Sequence, residues 1–478
     1  MRDRLVTAQA LPIDANRPSL ATRVKKAGSW ALFSQVSGQA IRLVSNVLLS
    51  RMLAPDSFGL MSVVYMLTVA LALFSDLGIG RSVVQSRRGN DPAFLDTAWT
   101  LGAIRGSGLG VLTLLIGIAF FIGDRFHLAP STTVYADPRL PWVVAAFALN
   151  VVISSLESIR AGLARRDVRL HLVTMIELAS QVVSTAVMVA VAWITRSVWA
   201  LVFGALFSNS LRVCMGYLLL KGHRVTLRLE PAALKELIGN GRWIFVSSIL
   251  GFLAGNGDRV LLGGLMDASS FGLYAIAVLL VSAQQTAAFT FSSTLAYPAM
   301  SEVFRERPQS LARTLGNFLL VYDALVTFSS GILIVAGPAI IHVLYDQRYQ
   351  EAGWILSILA IGSIGMRCQL IEQAYQAVGH PKLVTLGNFI RLVGLVGGIW
   401  IGHKFWGFTG IVFGVALCQF WPWPVAIWFL QKRKYLTWRG NAMLVPALLA
   451  GMLVGWLIQK GVFWILPEGH AALKRMIH

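Results

Sequence analysis

The chain has 478 residues, of which 56% are hydrophobic and only 13% charged, and its formal net charge is +19. Soluble domains run near a quarter charged, and a chain of this size cannot hide that much apolar side chain from water. A soluble enzyme, a disordered chain and a nucleic-acid-wrapping protein are therefore excluded, despite a pI near 10.4. With a mean hydropathy of +0.66, the chain reads as an all-α membrane protein.

Residues 1–28 form a basic arm, too polar and too poor in cleavable small residues for a signal peptide. Hydrocarbon about 30 Å thick is crossed by roughly 20 apolar residues in a helix. Continuous apolar runs of that kind fall at 29–50, 58–79, 99–122, 140–163, 170–194, 197–220, 242–265, 271–298, 314–341, 352–378, 383–402, 406–430 and 442–465. Lys460 interrupts the thirteenth, and Pro467 closes it. The runs do not alternate, so strands are no alternative.

Basic residues set the orientation. Arg2, Arg4, Arg17, Arg23, Lys25 and Lys26 precede the first run, and every second connection afterwards is basic. These connections carry Arg81/Arg87/Arg88, Arg160/Arg165/Arg166/Arg169, five residues from Lys221 to Arg242, Arg305/Arg307/Arg313, Lys382, and Lys432/Arg433/Lys434/Arg439. The opposite connections hold only Arg51, Arg125, Arg139, Arg196, Arg348 and Lys404. The positive-inside rule then places the N-terminus in the cytoplasm. Basic loops beside anionic head groups account for the net charge without a nucleic-acid partner.

The expected layout is a cytoplasmic arm (1–28), a six-helix lobe (29–220), a cytoplasmic linker (221–241) and a second six-helix lobe (242–430). A basic loop and one further membrane segment (431–478) follow. The largest outer connection, around 123–139, leaves no room for an external catalytic domain. Cys214, Cys368 and Cys418 lie far apart in apolar runs, so neither a disulfide framework nor a zinc site is supported. They read as small hydrophobes.

The chain matches itself at an offset of 213 residues. Trp30 falls on Trp243, Ser34 on Ser247, Val47–Leu49 on Val260–Leu262, and the SFGL of 57–60 on the SFGL of 270–273. Six spans separate the copies, so both enter the membrane in the same direction. This is the pattern of parallel repeats related by an axis along the membrane normal. Helices 1–6 should superpose on 7–12, with Phe58 and Phe271 in equivalent places.

Charge at the bilayer centre costs roughly 2.5–3.5 kcal/mol even on lenient scales. Ionisable residues within the spans therefore need partners, water or a purpose. They are Arg42, Arg105, Glu157, Glu177, Arg212, Asp258, Arg259, Asp323, Arg367, Glu372 and Arg391. Glu157 and Arg160, one turn apart, read as a local ion pair. Arg42 has no acid in its own span to neutralise it, so a wet cavity is expected. No catalytic or metal-binding constellation occurs, so neither an enzyme nor a cofactor is expected.

RMLAPDSFGL (51–60), FSDLGIG (74–80) and SVVQSR (82–87), with RWIF (242–245), GDRVLLG (257–263) and FGLY (271–274), resemble the bacterial polysaccharide transport family. Its members are flippases of lipid-linked oligosaccharide repeat units in the multidrug/oligosaccharidyl-lipid/polysaccharide exporter superfamily. The resemblance runs from about residue 29 to 430. The family's usual helix count is twelve or fourteen, so thirteen leaves the C-terminal end open.

The resemblance implies two pseudo-symmetric lobes around a central cavity in the bacterial inner membrane, working by alternating access. The cargo implied is an undecaprenyl-pyrophosphate-linked repeat unit for exopolysaccharide, capsule or O-antigen assembly. Membrane lipids, a polysaccharide polymerase and a chain-length regulator are the other candidate partners. A pyrophosphate attracts guanidinium groups through charge-assisted hydrogen bonds. Arg42 and Arg259 are accordingly the first candidates for the cavity cations, followed by Arg105, Arg212, Arg367 and Arg391. Asp258, Asp323 and Glu372 are the candidates for a coupling proton or sodium ion. The rival readings are a cation-coupled multidrug antiporter, which would need acids more than arginines, a membrane polymerase or ligase, and a non-transporting scaffold.

Overall fold

The structure is a computed structural model that describes residues 20–75, 91–127, 132–166, 170–220, 225–239, 255–435 and 441–465, with 79, 88, 130, 222–223 and 252–253 between them. Most of the described residues are helical, with no strand among them, and nine of the helices are long and apolar enough to cross a membrane. The fold class is thus all-α and polytopic, as composition and run length require.

In the first half, α1 spans Leu20–Ser50, α2 Pro55–Phe74, α3 Pro92–Arg125 and α4 Leu140–Ser155. A short α5, Ile159–Arg166, leads to α6, Leu170–Thr195, and α7, Trp199–Leu219. Proline opens α2, α3 and α4, where a missing N–H costs nothing and the fixed φ suits the first turn. Asp91 caps α3 by accepting from the Ala93 N–H at 3.1 Å. Its hydrogen bond from Arg88 holds the carboxyl below the usual range against the opposing effect of desolvation. The linker helix α8, Pro231–Gly239, lays Ala233 and Leu237 against Phe94, Leu95 and Ala98 of α3.

The second half begins, among described positions, with helical residues 252–253 and 255–263. Asp267 then caps α9, Ala268–Thr290. A π turn, Phe291–Ala296, joins it to α10, Tyr297–Glu306. Helix α11, Leu311–Tyr322, runs through a second π turn, Asp323–Thr327, into α12, Phe328–Leu344. Next come α13, Ala352–Gly365, and α14, Arg367–Ala377. Helix α15, Pro381–Leu417, folds back on itself at Trp406 and Gly407, where φ of +56° favours glycine. Its two arms touch through Gly402 and Gly410, so it makes two crossings, as the runs at 383–402 and 406–430 anticipate. Helix α16, Trp423–Lys432, completes the second of these.

The thirteenth run forms α17, Leu444–Ile465. It docks through a small-residue stripe: a methyl on Gly451 would lie 2.0 Å from the Phe328 carbonyl oxygen, and one on Gly331 2.5 Å from that of Leu448. Lys460 does not break this helix; its ammonium lies 4.6 Å from the Trp456 ring one turn back. Lys404 on Trp400 and Lys432 on Trp428 repeat the arrangement, which suits an interface where stems stay apolar and charges reach water.

One expected span is shorter than its apolar run. The run 140–163 continues past Ser155, but the helix stops there and α5 starts anew. The Arg160 guanidinium turns instead to the carbonyls of Tyr217, Leu220 and His223 at the end of α7.

The repeated segments meet each other. Helices α2 and α9 cross at their first turns, with Gly59 and Gly272 facing. A methyl on Gly59 would lie 2.0 Å from the Ala268 carbonyl oxygen, and one on Gly272 1.8 Å from that of Pro55. Pro55 and Ala268 are themselves equivalent at the 213-residue offset, so the contact is reciprocal, as a two-fold relation demands. Phe58 and Phe271 flank it in one buried cluster.

The same reciprocity extends to the connections at this end, where α1 stops at Ser50. The Val134 N–H donates to the Met266 carbonyl at 2.7 Å, and the Tyr349 hydroxyl to the carbonyl of Leu53, the equivalent residue, at 2.8 Å. Tyr135 reaches the Val260 carbonyl, and Arg348 that of Ser50. At the far end the halves are thus tied by hydrogen bonds onto backbone carbonyls.

Gly59→Ala and Gly272→Ala are each expected to destabilise the solubilised protein by about 1–3 kcal/mol, because a carbonyl cannot step aside for a methyl. Gly108→Ala, whose methyl meets nothing within 4 Å, is expected to be neutral or slightly stabilising. Thermal unfolding midpoints in detergent compare them.

Candidate functional site

Below the far-end seal the halves part, leaving a cavity of about 660 Å³. Leu49 and Phe58 lie next to the seal. The walls come from α1, α2, α6 and α7 of the first half and from residue 259 and α9 of the second. Much of the lining is polar, including Ser45, Asn46, Gln181, Ser184, Thr185, Ser208 and Asn209. Some of these side chains also knit the first half together: Ser45 meets Thr185 at 2.7 Å, Gln181 donates to the Gly38 carbonyl and Asn209 to Asn150.

Three arginines line this space, Arg42, Arg212 and Arg259, with the single acid Glu177. Arg42 donates to Gln39 Oε1 at 2.5 Å, and Arg259 to Asn256 Oδ1 at 3.1 Å. Both partners are neutral amides, so the two guanidinium charges are oriented but not cancelled. Arg212 lies 3.8 Å from Glu157. The excess of positive charge in a polar recess suits an anionic group. The repeat is visible here too: Arg259 is equivalent to Asn46, and both line the cavity.

The other sequence candidates separate. Arg391 lines a smaller adjoining cavity with Asp258 and Arg259. It also donates to Glu372 at 3.0 Å, in a pair whose side chains are 7% and 9% exposed. Arg367 is not among the lining residues of either cavity. It grips Asp323 at the π turn through two hydrogen bonds of 2.9 and 3.1 Å, with side chains 6% and 0% exposed. Its other arm reaches Asn441 ahead of α17. Arg105 also lies away from these cavities and donates to the Ser75 carbonyl just after α2. Of the candidate coupling acids, Asp323 and Glu372 are thus engaged by arginines and Asp258 by the Tyr274 hydroxyl. The expected pair between Glu157 and Arg160 is not made: Glu157 faces Arg212, because Arg160 caps α7.

Sequence reasoning missed one element of the site. An apolar cleft of about 530 Å³ runs between α1 and the α9 segment, lined by Val36, Ala40, Leu43, Ala287, Phe291 and Leu295 among others. Gln39 lines it and carries the hydrogen bond to Arg42. Cleft and cationic cavity therefore share a wall.

A model of the family described as polysaccharide biosynthesis protein matches residues 48–354, more than half of the chain. The chain belongs to the polysaccharide biosynthesis protein family. Among its relatives, the lipopolysaccharide biosynthesis protein WzxC of Escherichia coli K12 is 21% identical over 406 residues, 84% of this chain and 79% of that one. The succinoglycan biosynthesis transport protein ExoT of Rhizobium meliloti is 19% identical over 389 residues, covering 80% and 75%. In fold, the family member superposes on the lipid II flippase MurJ in its inward closed conformation, with a TM-score of 0.63 at 12% identity over 95% of this chain and 99% of that one. An inward-facing MATE multidrug transporter of the MOP superfamily gives 0.61 at 15% identity, over 83% and 94%. The fold is the one these two solved structures share.

Removing one partner of a buried ion pair typically costs about 3–5 kcal/mol. Asp323→Ala and Arg367→Ala are therefore each expected to cut the yield of monodisperse protein sharply. The double variant Asp323→Leu/Arg367→Met should recover part of it. Size-exclusion profiles at matched expression decide this.

Proposed function

We propose that this protein is a flippase that moves undecaprenyl-pyrophosphate-linked oligosaccharide repeat units across the bacterial inner membrane for exopolysaccharide, capsule or O-antigen assembly. The observation that carries the reading is the shared wall of Arg42 and Gln39, which sets a cationic polar cavity beside an apolar cleft. A diphosphate-linked lipid has this division: charge-assisted hydrogen bonds favour guanidinium groups for its head, and its tail favours an apolar cleft. The lobes are 29–220 and 242–430, joined by the linker 221–241. Arg42, Arg212 and Arg259 attract the diphosphate from the cytoplasmic side, and the far-end contacts then part to release it outward.

An inside-negative potential favours outward movement of an anion by about 2.3 kcal/mol per charge per 100 mV. The arithmetic thus does not demand a coupled ion. A cation-coupled drug antiporter would need acids facing the large cavity, whereas three arginines face it with one glutamate. The partners expected are the lipid-linked saccharide, membrane lipids, and a polymerase with its chain-length regulator.

Arg42→Ala is expected to abolish polysaccharide export and leave lipid-linked repeat units on the cytoplasmic side, whereas Arg42→Lys retains part of the activity. Normal export by Arg42→Ala at wild-type membrane levels would make Arg42 a packing element and sink the reading. Orientation has its own check. Tags at residue 5, within 221–240 and near 434 are expected in the cytoplasm, and one near 130 in the periplasm; a periplasmic readout at 221–240 would reverse the assignment.

A further inference from the structure

The smaller cavity opens beside the large one. It holds about 120 Å³ and has Arg259 and Ser282 in common with its neighbour. The rest of its polar lining belongs to the second half: Asp258, Tyr274, Gln285, Arg391 and Gln419.

Apart from Arg259, which it shares with the large cavity, its charges leave no positive excess: Arg391 is bound to Glu372, and Asp258 accepts from the Tyr274 hydroxyl. A second phosphate would find no excess of positive charge to neutralise it. Hydrogen-bonding capacity, by contrast, is left over. Arg391 Nε and Gln419 Oε1 are both buried, and neither has a partner. Native interiors rarely leave a donor and an acceptor bare on residues that line one cavity. A hydroxyl group donates and accepts at once, so hydroxyls answer both needs. The volume lies below the roughly 300–1,000 Å³ that holds a whole drug-sized ligand, so the chamber takes part of a larger molecule.

We propose that this chamber is a sugar subsite, receiving one neutral, hydroxyl-bearing ring of a lipid-linked saccharide whose diphosphate sits in the large cavity. Gln419 and Arg391 meet its hydroxyls, and Asp258 accepts from another. The inference rests on the flippase reading for the position of the diphosphate, and it assigns the second half the part of reading the sugar.

The test uses the full chain in lipid nanodiscs and two probes, a short-chain polyprenyl diphosphate and the same lipid carrying one hexose. The wild type is expected to bind the hexosyl probe about tenfold more tightly, the scale of one or two buried hydrogen bonds. Gln419→Leu should erase that margin and leave the affinity for the bare diphosphate unchanged. Asp258→Asn should shrink the margin independently, so poor folding of one variant leaves the other to decide. Equal affinity of the wild type for both probes would mean that the chamber holds water only. Equal weakening of both probes by Gln419→Leu would make Gln419 structural, and either result overturns the subsite. Unchanged binding of the bare diphosphate by Arg42→Ala would instead overturn the reading of the large cavity, whatever the hexosyl probe shows.

Discussion

The halves of this protein touch backbone to backbone at Gly59 and Gly272, and the rest of the architecture depends on that contact. Lipid supplies no hydrophobic drive between helices, so association rests on close packing, and small residues permit it. Here the would-be methyl groups fall within about 2 Å of carbonyl oxygens on the other half, which only glycine tolerates. Because the contact is made by the first turns of α2 and α9, the helices are pinned at one end. The cavity is the space left beyond the pin.

Charge is then sorted by whether a partner can be reached. An arginine in hydrocarbon must be neutralised by an acid or kept in a polar, hydrated recess. Arg367 and Arg391 take the first route with Asp323 and Glu372, at side-chain exposures below 10%. Arg42 and Arg259 take the second, held by amides in the wall of the large cavity. The difference has a functional sense. A guanidinium matched to a carboxylate has given up the hydrogen bonds that would bind a phosphate, while one steadied by a neutral amide keeps its charge available.

Much of this is legible in the chain, and the remainder fails for identifiable reasons. Continuous apolar runs locate the membrane-length helices found among the described residues because hydrocarbon thickness fixes helix length. The matched SFGL turns locate the repeat because both copies face the same contact. Partner choice is different. Asp323 with Arg367 and Glu372 with Arg391 join residues 44 and 19 positions apart, and spacing along one helix carries no information about which helix lies opposite. The local rule misleads at Glu157, where a residue one turn away is drawn off by three free carbonyls at the end of α7. Arg105 shows the same limit, since depth in a span does not say which face a side chain occupies. The apolar cleft is not legible in the chain because its walls, Val36 and Leu43 against Ala287 and Phe291, look in sequence like any lipid-facing stripe.

The far-end seal also explains how a closed state can be firm and still yield. The hydrogen bonds from Val134, Tyr135, Arg348 and Tyr349 to carbonyls on the opposite half are modest, roughly 0.5–1.5 kcal/mol each for neutral donors and somewhat more for the guanidinium. Their sum is a few kcal/mol, the scale on which one ligand's differential affinity shifts a two-state equilibrium. None crosses the cavity itself, so a bound anion does not compete with them directly. On the proposed function it would act through α1 and residues 255–263, which carry Arg42 and Arg259 at the cavity and supply the Ser50 and Val260 carbonyls that Arg348 and Tyr135 grip. Drawing the two arginines onto one diphosphate would therefore shift the helix ends on which the seal depends. On the proposed function, binding in the cavity and opening at the far end would be one motion of the same pair of equivalent helices.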